Sequence, residues 1–329
     1  MRILITGSSG QIGTNLALKL IEDGHEVFGV DKRLNTWVAD AFPYILQDLS
    51  GNYPLCPGGI GGVEYPEVDL VVHLAAHAKV HQLVKFPHGA LENITMTYNV
   101  LEFCRQRNTP IVFSSSREVY GDIHRFETEE NNADFAYTES PYSASKIAGE
   151  ALVYSYARCY GLPYLVFRFS NVYGRFDNDI DRMERVIPLF IRKISNDEDI
   201  VVYGPEKVLD FTYVDDCIAG VSRGVYALAA GEVSNQTINL AFGQGNSLVR
   251  MAELVGEQVG IEPRMTVEPA LVGEVTRYVA DIRKAHELLG YQPKVSLEEG
   301  IRRTVEWNRE WAAREEAADR VGGRTAFFA

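Results

Sequence analysis

Residues 2–13 read RILITGSSGQIG. The apolar run RILIT ends at a glycine, as a buried strand would. A helical pattern follows over 11–23, with Ile12, Leu16 and Leu20 on one face and Ala17 and Ile21 beside it. Between them stand Gly7, Gly10 and Gly13. A turn without side chains lets a pyrophosphate approach the backbone, and the helix N-terminus offers it unpaired N–H groups. The same glycines could serve strand–helix packing alone. The context decides: EVFGV (26–30) reads as a second strand, and Asp31 ends it 18 residues beyond Gly13. A carboxylate there accepts hydrogen bonds from an adenosine ribose and repels a 2′-phosphate. NAD is the expected cofactor, although Lys32 and Arg33 follow at once as cations that would suit NADP.

Working outward, DLVVHLA (69–75), PIVFSS (110–115) and YLVFRF (164–169) read as strands, with helices over 90–107 and 141–160. Nearly continuous apolar strands separated by helices imply a parallel sheet covered on both faces, a doubly wound, Rossmann-like α/β fold. After residue 170 the rhythm changes. Residues 171–182 are polar and loop-like, 183–194 read as a helix and IVVYG as a short strand. TINLA (237–241) suits a strand returning to the main sheet, and 247–259, 282–289 and 297–317 suit helices of a smaller C-terminal α/β lobe. The expected division is 1–170 with 212–245 for the dinucleotide, and 171–211 with 246–320 for a substrate. The tail 321–329 is expected to be flexible, and SGNYPLCPGGIGG (50–62) to be a loop.

The 329 residues carry a formal charge of −13. Such a surface repels phosphate backbones and argues against a nucleic-acid partner. An anionic substrate would have to find its cations gathered in a pocket. Cys56, Cys104, Cys159 and Cys217 show no CxxC or metal-like spacing, the usage of a reduced, cytoplasmic protein. The apolar run in MRILITG is too short for a signal peptide, and no run approaches a membrane-spanning length. His73 reads as a packed core residue; His77, His81 and His88 lack metal-ligand spacing, so no metal is expected.

SPYSASKIAGE (140–150) places Tyr142 and Lys146 at i and i+4, on one helical face. They could form a surface pair without chemistry. They could equally be a base whose pKa the lysine pulls from about 10 toward neutrality.

GSSGQIG, HLAAHA, SSSREVYG, YSASK and RFSNVYG occur in that order. Together they resemble the extended short-chain dehydrogenase/reductase family, in particular its nucleotide-sugar 4-epimerases. The match runs through to LGYQP near residue 290. The resemblance implies that Gly7, Gly10, Gln11, Ile12 and Gly13 hold the pyrophosphate and Asp31, with Lys32 beside it, the ribose. It implies that Asp48 and Leu49 meet the adenine, that Leu74, Ala75 and Ala76 floor the cofactor, and that Asn93 steadies that region. Ser114 and Phe169 join the cofactor contacts. Ser116, Tyr142 and Lys146 match the catalytic triad, with Lys146 also binding the nicotinamide ribose. Asn171 matches a residue that holds the sugar nucleotide, and Val186 lies on the helix that contacts it.

Departures from the family pattern bear on the substrate. Related 4,6-dehydratases resemble TDEVYG where this chain has SREVYG, and Arg117 cannot act as a general acid near neutral pH. An arginine there could grip a C6 carboxylate, or could turn outward to a surface acid. Arg185 and Arg192 flank VIPLF seven residues apart, so they could share one helical face and reach a diphosphate or carboxylate, or be solvated helix charges. Two arginines that usually hold the diphosphate are Leu209 and Leu271 here, leaving Arg277 and Arg192 as substitutes. Tyr203 is expected beside the base or ribose.

The expected activity is therefore C4 epimerisation of a UDP-hexose, with UDP-glucuronate favoured over UDP-glucose. Alternatives are a dehydratase, decarboxylase or reductase of the family, or a silent NAD-binding regulator. Family resemblance further implies a homodimer through helices 90–107 and 141–160.

Overall fold

The computed structural model describes the protein apart from residues 39, 52–54, 57–58, 122–127, 133–134, 178–184 and 321–329, so the expected tail lies outside the described residues. Strands β1 (Arg2–Thr6), β2 (Glu26–Asp31) and β3 (Tyr44–Leu46) run to one side of the main sheet. After β4 (Leu55–Cys56), β5 (Gly59–Ile60) and β6 (Val63–Glu64), the chain returns to β1 on its other flank. There β7 (Leu70–His73), β8 (Ile111–Ser116) and β9 (Tyr164–Phe169) follow in order. After β10 (Asn171–Tyr173), β11 (Ile200–Tyr203) and β12 (Val208–Tyr213), β13 (Gln236–Leu240) completes seven strands, every pairing parallel. Strand order reverses between β1 and β7. In open parallel sheets that switch point is where ligands bind, beyond the carboxyl ends of the strands.

The strand period explains the two covered faces. Ile3 and Ile5 enter one core with Leu16 and Leu20 of α1 (Gln11–Glu22), whereas Leu4 between them enters the other. After the short α2 (Val80–Lys85), that second core is closed by α3 (His88–Arg107) and α4 (Pro141–Tyr160), through Val100, Phe103, Val153 and Tyr156. Burying both faces is why these strands lack polar alternation.

The smaller half is built on α5 (Val186–Ser195), with α6 (Val214–Ala229) packing back on α1. It continues through β14 (Gly245–Asn246), α7 (Leu248–Val259), β15 (Met265–Glu268) and β16 (Arg277–Tyr278). Helices α8 (Arg283–Leu289) and α9 (Leu297–Arg320) close the chain. Strand β12 pairs with β10, β14 and β16, and β11 pairs with β15.

Two expected loops contain strands. Within 50–62, β4 and β5 pair, and β6 just past it extends them into an antiparallel ladder. Gly61 and Gly62, at φ 60° and 78°, make the two-residue turn between β5 and β6. The glycines there mark a hairpin. Asn171–Tyr173 likewise pairs with β12. Among the described residues, no helix is long and apolar enough to cross a membrane.

Candidate active site

The switch point gathers the glycine turn, the end of β8 and the first turns of α4. Gly7 has φ 72°, and a Cβ there would lie 2.7 Å from the Ala75 amide nitrogen. A Cβ on Gly13 would lie 2.2 Å from the Gly7 carbonyl oxygen. Both glycines are required by the protein's own packing. Gly10 differs: its Cβ would meet only the Gly7 oxygen, at 3.4 Å. The protein's own packing therefore does not demand a glycine at Gly10, and the open backbone leaves room for a pyrophosphate. Gln11 is buried and Ile12 half-buried at the start of α1.

At the tip of β2, the buried Asp31 carboxylate accepts from the Ser9 and Arg33 amides, both at 3.0 Å. Lys32 is exposed. Burial opposes ionisation of Asp48, but hydrogen bonds from Ser50 and the charge of Lys32 hold its carboxyl below the usual range. Leu49 is buried beside it. Leu74, Ala75 and Ala76 are half-buried after β7. Asn93 secures that stretch: its oxygen accepts from the His77 amide at 2.7 Å, and its nitrogen donates to the His77 carbonyl and the Ser145 hydroxyl. These groups fit a dinucleotide with a free ribose 2′-hydroxyl.

Helix α4 opens where Ser140 caps it, its hydroxyl accepting from the Ser143 amide at 3.1 Å, with Pro141 at the first position. Tyr142 therefore falls in the first turn and Lys146 in the next. A Cβ on Gly149 would come within 2.5 Å of the Phe113 ring, so α4 lies close against β8. The Lys146 ammonium donates to the Ser114 carbonyl at 2.7 Å and lies 5.9 Å from the Tyr142 ring centre. Phe169 pairs with Ser116 in register, at the end of β9.

Burial pushes the Tyr142 phenol up to about 12, outweighing the hydrogen bond from Ser116 and the charges of Arg185 and Arg117. Burial likewise draws Lys146 down to about 8, against the charge of Glu150. Desolvation of the phenolate wins, and the ammonium is spent on a carbonyl. His73 is a core residue: its ring bonds to Thr6 at 2.7 Å, and burial lowers its pKa to about 3.

The substrate candidates divide. Arg117 turns inward, its side chain 11% exposed. Its Nη2 meets Glu118 at 2.8 Å, its Nε donates to Asn171 at 3.2 Å, and its buried Nη1 has no hydrogen-bond partner among the described residues. The outward reading fails because the partner is the adjacent, equally buried acid. Arg185 donates to the Gln11 side chain at 2.8 Å and lies 3.3 Å from Asp177, next to the glycine turn. It is the N-cap of α5, in extended conformation, so it does not share a helical face with Arg192. Arg192 is exposed and faces Glu198 at 3.6 Å. Val186 is half-buried at the start of α5, and Tyr203 is exposed at the end of β11. Arg277 is half-buried, opposite Val208 in register.

The motifs do not single out three further features. Lys207 is buried and donates to Glu274 at 2.5 Å, the two standing two residues before Leu209 and three after Leu271. The Tyr278 hydroxyl is buried without a hydrogen-bond partner among the described residues, and its ring lies under Arg117. Glu150 and Arg168 form a buried ion pair behind Ser115. The last two residues lie inside quoted motifs, SPYSASKIAGE and RFSNVYG, but their pairing is a tertiary fact. Among the described residues, no group of three His, Cys, Asp or Glu side chains is placed to hold a metal.

Comparison with known proteins agrees with this geometry. The family described as NAD dependent epimerase/dehydratase matches residues 3–241. UDP-glucuronic acid decarboxylase 1 of Xenopus tropicalis is 31% identical, over 94% of this chain and 72% of that protein. The dTDP-glucose 4,6-dehydratase of Escherichia coli is 29% identical, over 94% of each. Among solved structures, the UDP-glucose 4-epimerase of Thermotoga maritima with UDP-glucose superimposes with a TM-score of 0.82. It is 30% identical, and the match covers 95% of this chain and all of that one. The chain belongs to the NAD-dependent epimerase/dehydratase family.

Proposed function

We propose that this family member interconverts the C4 epimers of a UDP-hexose and favours UDP-glucuronate over UDP-glucose. The relatives above carry names for three different reactions, so family membership leaves the chemistry to the site. The observation that carries our reading is Arg117: a buried guanidinium with one nitrogen unpartnered among the described residues, directly after Ser116 and bonded to Asn171. A C6 carboxylate could be gripped by that free edge through charge-assisted hydrogen bonds.

Gly10 and its neighbours, Asp31 and Asp48 would hold NAD, which supplies the hydride acceptor and donor when bound. Tyr142 takes the proton of the C4 hydroxyl, and Ser116 shares it through a hydrogen bond. Lys146 must stay protonated to stabilise the phenolate, whose formation burial and the charge of Glu118 oppose. After the 4-keto sugar presents its other face, Tyr142 returns the proton to the same oxygen. Arg185, Lys207 and Arg277 are the cations we place near the diphosphate in lieu of arginine at Leu209 and Leu271. Residues 171–211 and 246–320 would carry the sugar nucleotide. The exposed apolar side chains Leu91 and Tyr98 on α3 and Tyr160 on α4 suit a homodimer. A monomeric mass by light scattering would exclude it.

Purified protein given each UDP sugar tests the reading. We expect faster turnover of UDP-glucuronate, and in Arg117→Ala a loss of about 30-fold in kcat/KM for that substrate alone, the worth of one charged hydrogen bond. Faster turnover of UDP-glucose, undiminished in the variant, removes the uronate preference. One observation favours a second reading: Glu118 is buried beside Arg117, and its charge raises the Tyr142 pKa. An acid so close could help a 4-keto sugar lose carbon dioxide or water. Mass spectrometry separates these outcomes, because an epimer keeps the substrate's mass.

A further inference from the structure

Beyond the residues that touch substrate, one buried group on α4 has no role in the mechanism above. Glu150 lies one helical turn past Lys146 and is 5% exposed. Its Oε1 accepts from the Ser115 hydroxyl at 2.5 Å and from Arg168 Nε at 2.8 Å. Its Oε2 accepts from Arg168 Nη2 at 2.6 Å and from the Tyr154 hydroxyl at 2.8 Å. Ser115 is the residue between Ser114, whose carbonyl holds the Lys146 ammonium, and Ser116. Arg168 continues the chain of contacts. Its Nη1 donates to the Tyr120 hydroxyl at 3.1 Å and to the Glu130 carbonyl, and Tyr120 donates to Asn239 at 2.6 Å.

A buried ion pair is a weak source of stability, because desolvation offsets much of its attraction. Its geometric effect is strong. Four donors on one carboxylate leave β8, α4 and β9 a single relative placement at the point where Ser116, Lys146 and Tyr142 meet. We propose that Glu150 and Arg168 are positioning residues of the reaction, a carboxylate–guanidinium clamp that sets the register of Ser116 and Lys146 against Tyr142.

The clamp also sets the charge that Lys146 feels. The titratable and charged groups facing Glu150 and Lys146 are Arg168 and Tyr164 from β9, His73 from β7, Tyr120 after β8, and Tyr142 and Tyr154 on α4. His73 is neutral near pH 7. Among these groups Glu150 is the charge that raises the Lys146 pKa, and Arg168 is the cation paired with it. Removing the carboxylate leaves an unopposed guanidinium and favours deprotonation of Lys146; removing the guanidinium does the reverse.

The inference rests on the epimerase reading, so the wild type is assayed first with both UDP sugars, and Tyr142→Phe serves as the blank. No interconversion by the wild type sinks that reading and leaves the clamp to hydrogen exchange over residues 111–118. Faster exchange in Ser115→Ala supports the clamp there, and unchanged exchange overturns it. With an active wild type, we expect Glu150→Gln to lose about ten-fold in kcat with KM within about two-fold, the split of an interaction made in the transition state. Its alkaline limb should move to lower pH, whereas that of Arg168→Met should move to higher pH. A pair that only holds the fold would lower the melting temperature of both variants and shift neither limb, and that result overturns the proposal. So would limbs that move in the same direction. If the charge variants do not fold, Ser115→Ala decides: a fall in kcat at unchanged KM supports the clamp, and wild-type kcat rejects it.

Discussion

The proposed dinucleotide cradle and the proposed sugar pocket are built in opposite ways. In the cradle, contacts are made by backbone and short side chains from neighbouring stretches: Ser9 with Asp31, Gly13 with Gly7, Asp48 with Ser50. In the pocket, long cations reach across the chain. Arg117 bonds to Asn171, Arg185 to Gln11, and Lys207 to Glu274. A backbone cradle has one geometry that a motif can encode. A guanidinium on a flexible stem takes whichever acid or amide the tertiary fold brings within reach.

The sharpest way to break this comparison is at the point where the two halves meet. Tyr142→Phe removes the proton-transfer group and should lower kcat by about 10³-fold while leaving NAD binding intact. A variant that turns over at wild-type rate would separate the motif from the chemistry. Next comes pH. In the proposed mechanism Lys146 acts as an ammonium, and burial draws its pKa down to about 8, so activity is expected to fall as pH rises through 8. One pH unit above that, about ten-fold should be lost. A rate that stays flat to pH 10 would show that the ammonium is not needed.

The cradle can be tested by contrasting its own glycines. Gly13→Ala forces a methyl onto the Gly7 carbonyl and should cost about 1–3 kcal/mol, seen as a lower melting temperature. Gly10→Ala meets almost nothing in the protein, so the melting temperature should hold while NAD affinity falls by about ten-fold. Equal melting losses in both would mean that Gly10 serves packing. The smallest effect is expected at Arg192. Exposed and set against Glu198, it should change kcat/KM by less than about two-fold when replaced by alanine. A large loss would return it to the pocket.

Most of the sheet could be read from the chain because its signal is local. Alternate residues of β1 enter different cores, and the run stays apolar because both faces are covered. Helix α4 begins at Pro141 because Ser140 caps it, and both are visible in the sequence. The hairpin within 50–62 was not legible. Glycines signal a turn without saying whether two-residue strands pair across it. The strand at Asn171–Tyr173 was hidden for a related reason, since its partner β12 lies 40 residues away.

The site divides in the same manner. The sequence alone determined the family, the glycine turn between β1 and α1 and the i, i+4 placement of Tyr142 and Lys146, all of which depend on short-range spacing. Only the tertiary structure decided that Arg117 is buried against Glu118, that Arg192 is on the surface, and that burial drives the Tyr142 pKa upward. Those outcomes depend on which charges share a water-poor interior, and that is settled by segments far apart in the chain.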